Sequence, residues 1–280
     1  MADLLYDKFP DDHYAIFTMN RPDRLNAISS SMTEAIHEAL GDFVADDAMR
    51  VGIVTGTGRA FSAGADLKEM AERGARNAEF QAQFERGEIT EQAFKKETTY
   101  TLPRGGMIRN TFPFTHCPKP LIAAVNGLAH GGGMERTLEC DIRIASTAAE
   151  FATPEVKRGI MAGYAIHHLS RLIPFGEVMY LLATGNSMSA EEAKRVGLVH
   201  DVVEPDQLMP TAIALAKKIA GNAPLAVQAS KSVAHFWRQF NIDESLKYGE
   251  RVSKTLHSSE DSKEGPRAFA EKRPPVWKGR

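Results

Sequence analysis

Leu121-Ile122-Ala123-Ala124-Val125-Asn126-Gly127-Leu128-Ala129-His130-Gly131-Gly132-Gly133-Met134-Glu135 is the stretch that decides how this chain reads. Its first five residues form an apolar, strand-like run, and its end opens a helix-like one. Glycine disfavours a helix by about 1 kcal/mol relative to alanine, so three glycines at a helix start need a reason. Close approach of the main chain to a ligand is the usual one. The first turn of a helix also leaves N–H groups without intrahelical partners at the positive end of the dipole. Gly132 is therefore a candidate donor to a negatively charged oxygen.

Upstream the pattern recurs. Val51-Gly52-Ile53-Val54-Thr55 precedes Gly64-Ala65-Asp66, which leads into a helix through Leu67 and Met70. Two such turns facing one another would make an oxyanion hole from main chain, with Ala65 as the second donor. Glu135 lies one turn beyond Gly132; by position it is either a dipole partner or a proton carrier. Glu155, in Phe151-Ala152-Thr153-Pro154-Glu155, is the second candidate acid. Its apolar flank suggests partial burial, which raises a carboxyl pKa towards the range of general acid–base work. The bland alternative is an exposed glutamate at a helix start, and Glu150 is a nearby decoy. These residues predict an enzyme that stabilises an enolate-like or tetrahedral anion while a carboxyl group moves a proton.

Composition narrows the classes. The 280 residues are 43 % hydrophobic and 25 % charged, with a formal net charge of −2, so bulk charge gives no reason to expect nucleic acid or an anionic membrane as partner. Two cysteines without CxxC spacing fit a reducing compartment rather than a disulfide framework. No run approaches the ~20 apolar residues of a membrane span, and the start lacks a signal-peptide pattern, so a cytoplasmic location is expected. Gly56-Thr57-Gly58 lacks the rest of a dinucleotide fingerprint, there is no P-loop ending, and no Gly-x-Ser-x-Gly elbow occurs. His167-His168 lacks zinc-ligand spacing, and metal-free chemistry is the simpler expectation.

Along the chain, 13–19 reads as a first strand, 30–45 as a helix with Met32, Ala35, Ile36, Ala39, Leu40 and Phe43 at helical spacing, and 51–55 as a buried strand. Residues 71–110 are polar, show no steady period and read as a mobile excursion with some helix. Strands follow at 121–125, 141–145 and 199–203, with helix over 160–183 broken near Pro174, and a capping box at Ser189 and Glu192. From Pro205 onward only helices are expected. The alternation predicts an α/β core over 1–204 and a helical subdomain over 205–280.

The residues resemble the crotonase superfamily, the enoyl-CoA hydratase/isomerase proteins, nearly end to end. The likeness rests on Asn20-Arg21-Pro22 with Asn26-Ala27, Arg59 to Met70, Lys119 to Gly127, Gly131 to Glu135, Cys140-Asp141-Ile142, Phe151 to Glu155, Ser189 to Ala193, Gly197-Leu198-Val199 and Ala268 to Arg273, in this order and spacing. The resemblance implies a spiral of ββα units with a C-terminal helical region that assembles homotrimers or dimers of trimers. It also implies an acyl-CoA thioester substrate, with CoA carried by the substrate and no separate cofactor. Amides matching Ala65 and Gly132 would hold the thioester oxygen, and Glu135 and Glu155 match the two glutamates of members that hydrate an α,β-double bond. Arg24, Ala63, Asp66, Leu67 and Lys68 match the stretch that cradles CoA, and Phe269 and Lys272 a C-terminal pair placed against a neighbouring subunit's CoA.

The chain also departs from the family pattern. Met161-Ala162-Gly163-Tyr164-Ala165-Ile166 replaces a glycine-rich loop, Arg136 stands where small or apolar residues are usual, and 71–117 looks longer than in short-chain members, suggesting a lid or an enlarged acyl pocket. A helix turns about 100° per residue, so Arg136 is expected to face away from the site. The tail from Ser259 to Arg280 looks like that of carnitinyl-CoA dehydratase-type members. Hydration or dehydration of an enoyl-CoA is the leading expectation. Isomerisation or C–C cleavage of a bulky acyl-CoA is the alternative, and a non-catalytic assembly or RNA-binding role is disfavoured by the near-neutral charge and the intact glutamate pair.

Overall fold

A computed structural model gives the fold and describes residues 2–98 and 112–280. The chain opens with an antiparallel pair, β1 (Leu4–Phe9) and β2 (Tyr14–Met19), followed by α1 (Ser30–Ala45). The Ser29 side chain caps α1 by accepting from the Met32 N–H, and the helix buries Met32, Ile36, Ala39, Leu40 and Phe43 along one stripe. At its other end Lys119 Nζ donates to the carbonyls of Phe43 (2.7 Å) and Asp46 (2.8 Å), a cation on the negative end of the helix.

One unit is then laid down three times: a strand, a shorter strand, a helix. β3 (Val51–Gly56) and β4 (Ala60–Ser62) lead to α2 (Leu67–Glu85), which is followed by α3 (Glu91–Thr98). β5 (Leu121–Val125) and β6 (Leu128–His130) lead to α4 (Gly132–Glu139). β7 (Ile142–Ser146) and β8 (Glu150–Ala152) lead through a 3-10 turn at Pro154–Arg158 to α5 (Tyr164–Leu169). α6 (Phe175–Thr184), β9 (Ser187–Ser189), α7 (Ala190–Arg195) and β10 (Asp201–Val203) complete the strands. The long strands build one sheet in the order β1-β2-β3-β5-β7-β10, and the short ones another in the order β4-β6-β8-β9. This is the spiral of ββα units expected from the resemblance.

Four helices finish the chain: α8 (Leu208–Ala220), α9 (Pro224–Trp237), α10 (Ile242–His257) and α11 (Glu260–Ala270). α8 lays Leu208, Ala212, Ala216 and Ala220 against Val51, Ile53, Ile122 and Ile144 of the large sheet. Its small residues allow a close approach to the strands. α9 is tethered by Lys231 and His235, whose side chains meet the Asp141 carboxylate at 2.7 and 3.0 Å. The tail beyond α11 returns to the core: Trp277 Nε1 donates to the Gly221 carbonyl (2.8 Å), and Arg50 Nη2 to the Trp277 carbonyl (3.2 Å).

Two sequence expectations need correction. The polar stretch after residue 70 is not an excursion with some helix: α2 runs to Glu85 and α3 to Thr98. α2 buries none of its residues, which is why no apolar period marked it. The rest of the segment, residues 99–111, lies outside the described residues, and with it most of what bears on a lid. The first strand is β1 rather than β2; β1 is an edge strand with one buried residue, Leu4, and its Tyr6 ring stacks on Phe17 with centroids 4.9 Å apart.

Candidate active site

The expected site residues follow the carboxyl ends of parallel strands in the small sheet. β6 pairs with both β4 and β8, so the three strands end side by side. Ala65 comes just after β4, Gly132 just after β6, and Glu155 just after β8. Ligands of open α/β sheets bind outside such strand ends.

The first two turns are in contact. Ile28 bridges to Ala65, with the Ile28 N–H donating to the Gly64 carbonyl at 2.8 Å and the Asp66 N–H to the Ile28 carbonyl at 3.1 Å. Ser62 Oγ braces the same turn, donating to the Asn26 carbonyl (2.7 Å) and accepting from the Gly64 N–H (3.2 Å). A side chain on Gly132 would put its β-carbon 3.4 Å from the Ala65 amide nitrogen, so the two amides are neighbours. Neither N–H donates to a protein acceptor among the described residues.

The three glycines that lead into α4 serve different contacts. Gly131 has φ +54°, and a β-carbon there would stand 3.1 Å from Glu155 Oε1. On Gly133 it would meet the Ser62 carbonyl oxygen at 2.0 Å, so the helix start is pressed onto the end of β4. The sequence argument foresaw close approach to a ligand. In the third case the approach is to the neighbouring turn of the same chain.

Glu135 is buried on α4, only 7 % exposed, and its Oε1 accepts from the Ala165 N–H at 3.1 Å at the start of α5. Burial pushes its carboxyl above the ordinary glutamate value; the Ala165 and Tyr164 N–H groups pull against that, and the Glu155 charge adds to it. Glu155 is half-buried, its pKa is likewise raised by burial, and its Oε2 finds no hydrogen-bond partner among the described residues. The two acids therefore stand near enough to repel, on two different repeats. Glu150, the decoy, is exposed at the start of β8 and engaged by His130 Nε2 (3.0 Å) and by the Ser187 hydroxyl.

Of the residues matched to CoA binding, Arg24, Leu67 and Lys68 have exposed side chains beside the Ala63–Asp66 turn, and the Ala63 N–H donates to the Leu25 carbonyl at 2.9 Å. The Asp66 carboxylate is occupied: it caps α2 through the Lys68 and Glu69 N–H groups and pairs with Arg21 at 3.0 Å. Phe269, 87 % exposed, and Lys272 lie at the end of α11. Among the described residues there is no group of three or more His, Cys, Asp or Glu side chains able to hold a metal ion, and no helix is long and apolar enough to cross a membrane.

The enoyl-CoA hydratase/isomerase family model matches residues 12–89 and 87–280. The chain belongs to that family. Among similar proteins are the (E)-benzylidenesuccinyl-CoA hydratase of Thauera aromatica, 37 % identical with 96 % of each chain covered, and the short-chain-enoyl-CoA hydratase of Clostridium acetobutylicum, 38 % identical with 92 % of each covered. The carnitinyl-CoA dehydratase of Salmonella enteritidis is 39 % identical over 94 % of each. A solved enoyl-CoA hydratase of Mycobacterium tuberculosis superposes with a TM-score of 0.85 over 100 % of both chains, at 33 % identity.

Two departures from the hydratase/isomerase pattern acquire a structural meaning. Tyr164 opens α5, so the loop that lacks the family's glycines still presents amides to Glu135. The Tyr164 ring is held between Phe112 (centroids 4.6 Å apart) and His168 (3.5 Å). Arg136 is buried and pairs with Glu139, the next acid along α4. Sequence reasoning missed the Tyr164 and Ala165 amides as partners of Glu135. Gly163 before an apolar helical run was the available signal.

Proposed function

We propose that the protein adds water across the α,β-double bond of an enoyl-CoA thioester, or removes it in reverse, as a hydratase-type member of its family. In this reading the Ala65 and Gly132 N–H groups hold the thioester oxygen. Glu135 and Glu155 share one water. As the water oxygen bonds to Cβ, one glutamate takes its proton; the π electrons move towards the carbonyl, and the enolate charge rests on the oxygen between the two amides. The other glutamate supplies a proton to Cα, and the C–O double bond re-forms. Burial of both acids favours this work, since a carboxyl with a raised pKa gives and takes protons nearer neutral pH. The observation that carries the reading is the close approach of the Ala65 and Gly132 amides, neither with an acceptor among the described residues, together with the Glu155 carboxylate, whose Oε1 flanks the Gly131 turn and whose buried Oε2 has no partner among the described residues. The names of the relatives support the acyl-CoA class.

CoA arrives on the substrate, so no separate cofactor enters, and Arg24, Ala63, Leu67 and Lys68 would contact it beside the donor turns. Phe269 and Lys272 would reach a neighbouring subunit's CoA in a homotrimer or dimer of trimers. The exposed Trp237, Phe240, Ile242 and Leu246 on and between α9 and α10 support such assembly. A second reading, isomerisation or C–C cleavage of a bulky acyl-CoA, is favoured by the Phe112–Tyr164 stack close to Glu135. Product mass separates the two: hydration adds a water, isomerisation adds nothing.

The test is turnover of crotonyl-CoA and bulkier enoyl-CoAs by Glu135→Gln and Glu155→Gln. Each is expected to lose about 10²–10⁴-fold in kcat. Undiminished turnover in both would end the proposal.

A further inference from the structure

Behind Glu135 lies an ion pair for which the hydration reading has no use. Arg136 and Glu139 are each 3 % exposed, one turn apart on α4, and Arg136 Nη1 donates to Glu139 Oε1. The other Glu139 oxygen accepts from the Phe114 N–H at 2.8 Å. Arg136 Nε is buried with no partner among the described residues, which leaves the guanidinium a hydrogen bond short. Burial pushes the Glu139 carboxyl up to about 7 against the pull of Arg136, so the Arg136 charge is unbalanced whenever Glu139 holds its proton. Burying a charged donor short of partners is costly, and a leucine here would avoid that cost.

From this pair a closed circuit of contacts returns to the acid. Glu139 holds Phe114; Phe112, two residues earlier, stacks on Tyr164; and the Tyr164 and Ala165 amides hold the Glu135 carboxylate. Gly163 stands at the junction, where an added β-carbon would be 3.5 Å from Glu135 Oε1 and 3.8 Å from the Phe112 ring.

We infer that Arg136 and Glu139 are a positioning pair for Glu135, fixing the orientation of its carboxylate through the Phe114–Tyr164 strap and setting its proton affinity through the unbalanced Arg136 charge. The inference rests on the hydration reading for its purpose but not for its test. The charged groups acting on Glu135 are Glu155 from the turn after β8 and, on its own helix, Arg136, with Glu139 coupled to it in turn; Tyr164 of α5 acts through its backbone N–H. Arg136 favours ionised Glu135, whereas burial and Glu155 oppose it.

The experiment is a carboxyl 13C NMR titration of glutamate-labelled protein, with the Glu135 resonance assigned by its loss in Glu135→Gln. Glu139→Gln keeps an oxygen for the Phe114 N–H but leaves Arg136 without a counter-charge, and should shift Glu135 titration to lower pH. Arg136→Met/Glu139→Gln removes both charges and should shift it above wild type. The Glu135-dependent limb of the kcat/KM profile should move the same way. Glu135 titrating at the wild-type pH in both folded variants would overturn the inference. Absence of enoyl-CoA turnover in the wild type, with the titration shifts intact, would instead sink the hydration reading.

Discussion

Gly64 and Gly132 touch across the gap between two strand ends: a β-carbon on Gly64 would stand 2.9 Å from the Gly132 amide nitrogen and 2.7 Å from the His130 carbonyl oxygen. Gly64 also has φ +92°, a conformation that side chains resist. Gly64→Ala must therefore push the two donor turns apart. Losing a single oxyanion donor costs about 10²–10³ in kcat. We expect a loss of that size in enoyl-CoA turnover while circular dichroism still reports the folded chain; full activity would contradict the shared oxyanion site.

Two carboxylates on either side of β8 should behave oppositely. Glu150 is committed to His130 and Ser187 at the start of β8, whereas Glu155 keeps a buried oxygen without a partner among the described residues. Glu150→Gln should stay within about twofold of wild-type kcat, since exposed pairs contribute little. Glu155→Gln should lose far more in the same assay. Equal losses would show that the wrong acid was chosen.

His168 gives the protein a predictable acid sensitivity. Burial against Tyr164 pushes its pKa down to about 4 from an ordinary 6.5. The unfolded chain therefore binds the proton more readily than the folded one. The His168 contribution is fully present above pH 6.5 and is lost as pH falls through 4. His168→Phe keeps a ring on Tyr164 and removes the titration. Its Tm should fall less steeply than that of wild type between pH 6.5 and 4, and identical slopes would refute the assignment.

The returning tail should matter to substrate affinity more than to chemistry. Trp277 joins the tail to Gly221, and its ring lies beside Gly265 of α11. Trp277→Ala is expected to cost about 1–3 kcal/mol from lost burial and one hydrogen bond, read as a lower Tm. With α11 loosened, Phe269 and Lys272 lose their placement, so KM for enoyl-CoA should rise severalfold with kcat nearly kept. A fall in kcat alone would contradict a CoA role for that end of the chain.

The elements that were legible from sequence share one property: a long apolar signature. α1 showed its stripe, and β3 and β5 their unbroken apolar runs. The turns at 64–66 and 131–135 stood out because glycine at a helix start is costly. The small sheet was invisible, since three-residue strands such as Ala60–Ser62 and Leu128–His130 are too short to display an alternation. Yet that sheet is what sets Ala65, Gly132 and Glu155 side by side. The partners of Glu135 were hidden for another reason: amides carry no sequence signature, and Tyr164 and Ala165 serve through their backbone. The Arg136–Glu139 pair was half legible, because helix rotation turned Arg136 from the site but named neither its burial nor its partner.

Each of the three successive units hands the small sheet one strand and, at its end, one of the loops that carry Ala65, Gly132 and Glu155. In the proposed reaction, rewriting a single loop would alter one of these groups while the other two kept their footing. A chain organised this way can trade one acyl chemistry for another by local edits, without disturbing the long strands that keep it folded.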